Sequence, residues 1–228
     1  MIRSLLLSLL VFSPDAAAQC PAAGTVYFDG HEYPVVSIGM QCWFAENLGS
    51  THFADGAGLL VVAESAQWQE LSGSDIPMTS VVTRKGTPVG EGRVYNAAAV
   101  RSGKLCPVGW HVPSDEDWQR LECALGLSAM DARQSGFRGV HADQLRGNHD
   151  RYEEWSGLDS FGFGALPGGF MDASGDCWNW SDSGFWWSNT EWKGGGELWM
   201  RSLSNWPTGM YRSIHPYGSG LSVRCLKD

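Results

Sequence analysis

Tryptophan is the residue type in this chain that is best suited to form a binding surface. Seven of the twelve tryptophans lie between Trp178 and Trp206. An indole face stacks on the apolar face of a sugar ring or on an extended peptide, and the ring N–H supplies a polar contact. Four of the seven stand among Asn, Asp, Gly, Lys and Pro residues, which are typical of loops. We therefore predict ligand contacts for Trp178, Trp180, Trp192 and Trp206.

Acidic and amide side chains crowd the same stretch of sequence. They are Asp172, Asp176, Asn179, Asp182, Asn189 and Glu191. Calcium takes six to eight oxygen ligands of this kind, often on an irregular loop. The same residue types also form ordinary turns and solvated loops. Calcium binding therefore stays an open alternative, and no metal ligands are assigned.

No group of residues has the spacing of a catalytic site. The six histidines include no HExxH motif or other tight ligand pair. No G-x-S-x-G turn marks a nucleophilic serine. Glu153 and Glu154 are adjacent acids, which are more typical of a solvated loop than of paired glycosidase carboxylates. The sequence therefore predicts a protein that is not an enzyme and needs no cofactor.

The cysteines favour structural disulfides. There are six, an even number, and no two of them are close enough to form a CxxC motif. This argues against a zinc site and against a thioredoxin-like redox site. Three disulfides allow fifteen connectivities, so spacing alone does not give the pairing.

Two kinds of local pattern indicate the elements that position these residues. Asp29-Gly30 between β-prone runs predicts a hairpin. Ser114 as N-cap, with Asp117 three residues later, predicts a helix that Gly126 ends, and residues 95–100 are a second, short helix candidate. From residue 161 onward, short strands at 161–166, 185–188, 197–203 and 221–226 alternate with glycine turns. We expect residues 55–92 to form a long decorated loop with room for one short hairpin.

The N-terminus is typical of a secretory signal peptide. Residues 1–3 supply a positive start, residues 4–12 form an apolar run too short to span a bilayer, and residues 16–18 offer a cleavage site. We expect a signal peptide at residues 1–18 and a single domain at residues 19–228. The mature protein would then be secreted, periplasmic or held at the cell surface, and no other stretch is long enough to span a membrane.

The composition excludes two further classes of protein. The net charge is −9, and no stretch is rich in Lys and Arg, which argues against a nucleic-acid binder because phosphate neutralisation needs clustered cations. The chain is 43% hydrophobic and only 18% charged, which argues against disorder.

Several phrases in a fixed order resemble one protein family. They occupy residues 29–33, 38–48, 95–98, 105–114, 118–121, 162–169, 187–190 and 222–225. Together they resemble the Fibrobacter succinogenes major paralogous domain, a family of exported bacterial domains, over residues 24–228. Trp43, Trp110, Trp118 and Trp187 belong to these phrases, so we expect them, with Trp199 in a strand, to fill the core.

The resemblance implies an α+β, C-type-lectin-like fold that is related to the formylglycine-generating sulfatase-modifying enzymes. Such a fold has a small, looped antiparallel sheet, one or two flanking helices, much irregular structure and disulfide staples. It implies that Cys106 and Cys225 form the family's disulfide. The simplest remaining pairs are Cys20–Cys42 and Cys123–Cys177.

The family carries no general activity that could be transferred to this chain. Formylglycine chemistry relies on two close cysteines near the chain end, whereas Cys225 is the only cysteine in the last 40 residues. We therefore expect an exported, non-catalytic binding module that recognises a polysaccharide or a surface protein through its tryptophan-rich loops. The alternative is a structural or accessory component of a cell-surface assembly.

Overall fold

A computed structural model describes residues 20–89, 92–148, 155–205 and 209–228. The expected signal peptide at residues 1–18 and the predicted ligand contact Trp206 lie outside these ranges. The described chain is mixed α and β, with more sheet than helix. None of the helices within those ranges has the length and apolar character needed to cross a membrane.

The regular elements are short. The α-helices of the described ranges are α1 (Ser65–Leu71), α2 (Ala97–Arg101), α3 (Asp115–Ala124) and α4 (Ala129–Ala132). The strands are β1 (Thr25–Phe28), β2 (His31–Ile38), β3 (Gln41–Phe44), β4 (Leu60–Val61), β5 (Met78–Ser80), β6 (Thr83–Arg84), β7 (Thr87–Pro88), β8 (Val94–Tyr95), β9 (Trp110–His111), β10 (Gly136–Arg138), β11 (Phe170–Met171), β12 (Cys177–Trp178), β13 (Ser183–Glu191), β14 (Glu197–Ser204), β15 (Met210–Pro216) and β16 (Leu226–Lys227).

One five-stranded sheet has the order β1-β2-β3-β16-β9 and brings the two ends of the described chain together. Its first hairpin turns at Asp29 and Gly30, with φ values of 46° and 80°. Two consecutive positive φ values match the right-handed twist of the strands, which is why Asp-Gly favours this turn. The predicted hairpin is confirmed, and it places Asp29 at the edge of a cavity described below.

A four-stranded antiparallel sheet of order β10-β15-β14-β13 packs against α3. Ser114 caps this helix, and its side chain and that of Asp117 form the predicted capping box. The indole of Trp118 is buried and donates a hydrogen bond to the carbonyl oxygen of Trp187 at 3.3 Å. The predicted helix is therefore confirmed, and it is fixed to β13 through its apolar face.

A buried ion network adds a polar connection between α3 and the same sheet. Nη1 of Arg201 lies 2.8 Å from Asp115, and its Nε lies 2.5 Å from Glu122. Arg212 contacts the other oxygen of Asp115 at 2.7 Å, and Arg138 contacts Glu122. Because a buried charge without a partner is strongly destabilising, this network fixes the helix relative to β10, β14 and β15.

Residues 55–92 are more regular than the expected decorated loop. They contain α1 and the short strands β4 to β7. Trp68 of α1 is fully buried in an apolar cluster with Val62 and Met78, and its indole donates to the carbonyl oxygen of Gly218 at 2.9 Å. This segment thus contributes to a small apolar cluster that packs against the C-terminal part of the chain.

Two of the strands expected in the C-terminal half are shorter or absent. Residues 161–166 form no strand; Ala165 makes only an isolated bridge to Arg146 and accepts a hydrogen bond from the Trp155 indole. The run at 221–226 contributes only its last residue to β16. The other two expected strands are confirmed as parts of β13 and β14, and the short helix candidate at 95–100 is confirmed as α2.

Two disulfides are present, and they are Cys20–Cys42 and Cys106–Cys225. Both had been expected. The expected Cys123–Cys177 pair is wrong, because both cysteines are free. Cys123 lies on the exposed face of α3, whereas Cys177 packs against the cluster around Trp68, where its Sγ accepts a hydrogen bond from the backbone N–H of Thr83.

Candidate ligand-binding site

Trp178 presents its ring to solvent from a rigid hairpin. Its side chain is 50% exposed, and its N–H donates to Oδ2 of Asp172 at 2.7 Å. The other oxygen of Asp172 accepts hydrogen bonds from the backbone N–H groups of Ser174 and Asp176. One carboxylate therefore holds both the turn between β11 and β12 and the edge of the indole, while a large part of the ring stays accessible.

Trp192 is the second exposed tryptophan and lies at the turn between β13 and β14. Its side chain is 39% exposed. Its backbone N–H donates to Glu197 at 2.9 Å, and its carbonyl oxygen accepts from Gly195 at 2.9 Å. A Cβ at Gly194 would lie 1.6 Å from the indole, so the ring rests directly on this residue. Because Gly194 has no side chain, it leaves the space that the Trp192 ring occupies.

The other two predicted contact residues are not brought to this surface. Trp180 packs against the apolar cluster around Trp68, and the guanidinium of Arg84 lies 5.0 Å from its ring centroid. Its contacts are internal, so we leave Trp180 out of the candidate site. Trp206 lies outside the described residues.

A groove of about 360 Å³ is bordered by the turns of the two hairpins that carry the exposed tryptophans, although neither tryptophan ring lines it. Ala173, from the β11–β12 turn, forms part of its wall, and Gly196, from the β13–β14 turn, forms another part. The remaining lining residues are Ser72, Gly73, Ser74, Asp75, Ala98, Arg101, Pro216, Tyr217 and Gly218. We call this cavity the Tyr217 groove.

Close backbone packing fixes the shape of this groove. Gly175 has a φ of 82°, and a Cβ there would lie 2.5 Å from the carbonyl oxygen of Ser65. A Cβ at Gly218 would lie 2.7 Å from the carbonyl oxygen of Ser72. Only glycine permits these approaches. The β11–β12 turn and the end of β15 are thereby held against the two ends of α1.

Arg101 lines the groove and contacts Tyr217 and two carboxylates, of which Asp75 lines the groove and Glu191 lies beside it. The guanidinium of Arg101 lies 4.8 Å from the ring centroid of Tyr217, and its Nε lies 2.7 Å from Glu191. Asp75 lies 3.7 Å from the same guanidinium. These side chains are partly exposed, so they remain available to exchange hydrogen bonds with a hydroxylated ligand. Neither Arg101 nor Tyr217 was singled out in the sequence, because no motif or composition bias surrounds either residue.

A second cavity of about 450 Å³ shares no lining residue with the Tyr217 groove. It is lined by Asp29, His31, Tyr33, Glu46, Asn47, Gly49, Gly92, Gly164, Leu166 and Arg224. We call it the Arg224 cleft. Eight of its ten lining residues belong to the sequence segments that resemble the family. The signal that could have drawn attention to them is the presence of polar residues inside otherwise apolar segments.

Two of the acidic and amide residues between Asp172 and Glu191 make clear structural contacts. Asp172 holds the Trp178 hairpin, and Asn189 donates from its side chain to the carbonyl oxygen of Val112 at 2.7 Å. Over the described ranges, no three His, Cys, Asp or Glu side chains are grouped so that they could hold a metal ion.

Four of the five tryptophans expected in the core lie there. Trp43, Trp118 and Trp187 are fully buried, and Trp110 nearly so. The Trp187 indole donates to the carbonyl oxygen of Tyr95 at 2.7 Å. The expectation for Trp199 is wrong: it is only partly buried, because its ring packs against the guanidinium of Arg212, 3.5 Å from the ring centroid, and not into the apolar core. These contacts leave Trp178 and Trp192 as the exposed tryptophans of the described chain.

Comparison with known families identifies the same family as the sequence resemblance. The family model of the Fibrobacter succinogenes major domain matches residues 36–227. No curated protein and no solved structure matches the chain significantly. The matched segment covers most of the chain and includes both the Tyr217 groove and most of the Arg224 cleft. The chain therefore belongs to the Fibrobacter succinogenes major domain family.

Proposed function

We propose that this protein is an exported, non-catalytic binding module that recognises a glycan along the Tyr217 groove. The observation that carries the proposal is the placement of two exposed indoles, Trp178 and Trp192, on two hairpins whose turns border one groove. An extended polymer that lies in the groove would meet both hairpins.

The chemistry of the groove suits a saccharide. Indole rings stack on the apolar faces of sugars. The guanidinium of Arg101 and the carboxylates of Asp75 and Glu191 are planar groups that exchange hydrogen bonds with neighbouring hydroxyls. The groove is open and of ordinary ligand-site size, as binding to an internal segment of a polymer requires.

The proposal includes a fold relationship and a location. The looped antiparallel sheets, the single well-formed amphipathic helix α3 and the Cys106–Cys225 disulfide support a C-type-lectin-like fold. The two disulfides support an oxidising compartment outside the cytoplasm. Together with the signal-like residues 1–18, they favour a secreted, periplasmic or cell-surface protein.

The test is a titration of the oxidised protein, residues 19–228, with plant, algal and bacterial polysaccharides, followed by tryptophan fluorescence with and without EDTA. We expect one class of polymer to give a saturable change. Trp178→Ala and Trp192→Ala should each weaken that binding about tenfold, which corresponds to about 1.4 kcal/mol. Tyr27→Ala removes an aromatic ring that is 74% exposed on β1, away from the groove, and should bind like the wild type.

Three results would contradict the proposal. The first is the absence of binding to every polymer together with constant co-purification with a protein partner, which would favour a structural or accessory role at the cell surface. The second is an equal loss of binding in Tyr27→Ala. The third is unfolding of Trp178→Ala or Trp192→Ala, which would make these rings structural. Loss of binding in EDTA would add a calcium requirement.

A further inference from the structure

The Arg224 cleft contains a buried cation whose hydrogen-bond acceptors are all neutral. Arg224 is 1% exposed. Its Nε donates to Oδ1 of Asn47 at 3.0 Å and its Nη2 to the carbonyl oxygen of Gly164 at 2.9 Å, while Nη1 donates to the carbonyl oxygen of Phe163. A guanidinium has five N–H donors, and these contacts use three. No carboxylate in the described ranges forms an ion pair with it.

Burial makes this cation costly in the absence of an anion. It lowers the pKa of Arg224 to about 9, although the more distant carboxylates of Asp159 and Glu46 act in the opposite direction. Asn47 orients the side chain, since its Oδ1 accepts from Arg224 and also from the Trp186 indole at 2.8 Å. An anionic group in the cleft would supply the charge that the protein does not.

The carboxylates that line the cleft already have hydrogen-bond partners. Glu46 lies 2.9 Å from Nε2 of His31, and Asp29 lies 2.9 Å from Nδ1 of His52. Asp29 also accepts hydrogen bonds from Ser50 and from the backbone of Thr51. Both acids therefore have partners already, so the cleft does not call for an ammonium group on the ligand. Each carboxylate still has lone pairs that can accept a hydrogen bond from a hydroxyl group.

The hydroxyl of Tyr33 adds a buried donor beside these groups. Tyr33 is 1% exposed, and its oxygen accepts from the backbone N–H of Gly49 at 3.0 Å, so its own proton remains to be donated. The cleft thus combines buried donors at Arg224 and Tyr33 with acceptors at Asp29 and Glu46. A ligand that fits must carry an anionic acceptor next to hydroxyl donors.

We propose that the Arg224 cleft is a second binding site, separate from the Tyr217 groove, and that it takes a sugar acid. The carboxylate of the sugar would face Arg224 and Tyr33, and its ring hydroxyls would face Glu46 and Asp29. A volume of about 450 Å³ is ample for one sugar ring. A phosphate monoester fits less well, since its second negative charge would lie in the same cavity as the carboxylates of Asp29 and Glu46.

Gly49 allows the cleft to be filled without disturbing the fold. It is exposed and its backbone is not left-handed. A Cβ there would make only an ordinary contact, 3.6 Å from the hydroxyl of Tyr33. Gly49→Leu therefore places a side chain at the Tyr33 donor. Gly73 of the Tyr217 groove offers the matched control, because it too is exposed and a Cβ there meets nothing within 4 Å.

The test measures binding of sodium D-galacturonate, D-galactose and L-alanyl-L-alanine by isothermal titration calorimetry. Galacturonate and galactose differ in the carboxylate, and the dipeptide carries a carboxylate without sugar hydroxyls. We expect galacturonate to bind about tenfold more tightly than either other compound and to weaken as salt is raised. Gly49→Leu should weaken galacturonate binding about tenfold, and Gly73→Leu should leave it unchanged.

Each of four results would overturn the sugar-acid site. Equal binding of galactose and galacturonate would remove the role of Arg224, and tighter binding of the dipeptide would make this a peptide-terminus site. Full galacturonate binding by a folded Gly49→Leu variant, or no binding by the wild type, would exclude the cleft. Gly73 and Trp192 do not line the cleft. Polysaccharide binding can therefore fail in Gly73→Leu and Trp192→Ala while the cleft still binds galacturonate. Gly49→Leu should show the reverse.

Discussion

The indole N–H of Trp178 donates a hydrogen bond to Oδ2 of Asp172 at 2.7 Å, across the turn of one hairpin. The same carboxylate accepts two backbone N–H groups of that turn, from Ser174 and Asp176. A half-exposed aromatic ring is thus fixed at its polar edge before any ligand binds. Such preorganisation lowers the entropy lost on binding.

Asp172→Ala should release the Trp178 ring. The variant loses the side-chain acceptor for three N–H groups, so we expect the free energy of unfolding to fall by about 1 to 3 kcal/mol. Acrylamide should quench the fluorescence of the variant more strongly, and polysaccharide binding should weaken several-fold. Asp176→Ala is the control, since Asp176 contributes only its backbone to the Asp172 carboxylate. Equal effects of the two substitutions would show that Asp172 does not position the ring.

His215 should make stability depend on pH. Its ring lies 4.9 Å from that of Phe170 and 6.0 Å from that of Trp187, and burial lowers its pKa from 6.5 to about 4, against a weak opposing effect of Asp172. Between these pH values the unfolded chain binds more protons than the folded one. The free energy of unfolding therefore falls as the pH drops through this window, by about 3 kcal/mol in all.

Replacement by an apolar ring should remove this dependence. We expect His215→Phe to lose less stability than the wild type between about pH 7 and about pH 4.5, as measured by urea unfolding. The variant should be more stable than the wild type at the lower pH. Parallel pH profiles for the two proteins would mean that His215 is protonated in the folded state.

The two free cysteines should react at different rates. Cys123 is exposed on α3, whereas burial raises the pKa of the Cys177 thiol. A thiol reagent that attacks the thiolate should therefore label Cys123 quickly and Cys177 slowly in the native protein. Mass spectrometry of the labelled peptides gives the rates. Finding no reactive thiol after denaturation would indicate a third disulfide and would contradict the structure.

The two disulfides should contribute unequally to stability. Cys106–Cys225 joins residues 119 apart in sequence, and Cys20–Cys42 joins residues 22 apart. The chain-entropy model gives about 5 kcal/mol for the first and about 3 kcal/mol for the second. Replacing each pair by alanine and measuring urea unfolding should show the larger loss for Cys106 and Cys225. A larger loss for the Cys20–Cys42 pair would contradict this order.

Local signals in the sequence were sufficient for some elements and not for others. The hairpin at Asp29-Gly30 and the start of α3 at Ser114 follow from interactions within a few residues, so they could be predicted. Helix α1 was missed because Glu64 at its N-cap makes no side-chain capping bond. What holds α1 in place is the burial of Trp68 beneath Gly218, a contact between residues 150 apart.

The candidate sites were predicted only in part for the same reason. Loop composition around Trp178 and Trp192 predicted their exposure, but composition gave the same signal for Trp180, which packs inside. The Arg224 cleft brings together Asp29, Glu46 and Arg224 from distant parts of the chain. Only the arrangement of strands brings these three residues to one cavity.

The measurement that tests the central claim most directly compares polysaccharide binding by the wild type, Gly73→Leu and Gly49→Leu in one calorimetric series. Gly73→Leu adds a side chain to the lining of the Tyr217 groove at a position where a Cβ meets no atom within 4 Å. We predict that the polymer bound by the wild type binds Gly73→Leu about tenfold more weakly while both variants unfold at the same urea concentration as the wild type. Undiminished binding by folded Gly73→Leu would contradict a glycan site in the groove.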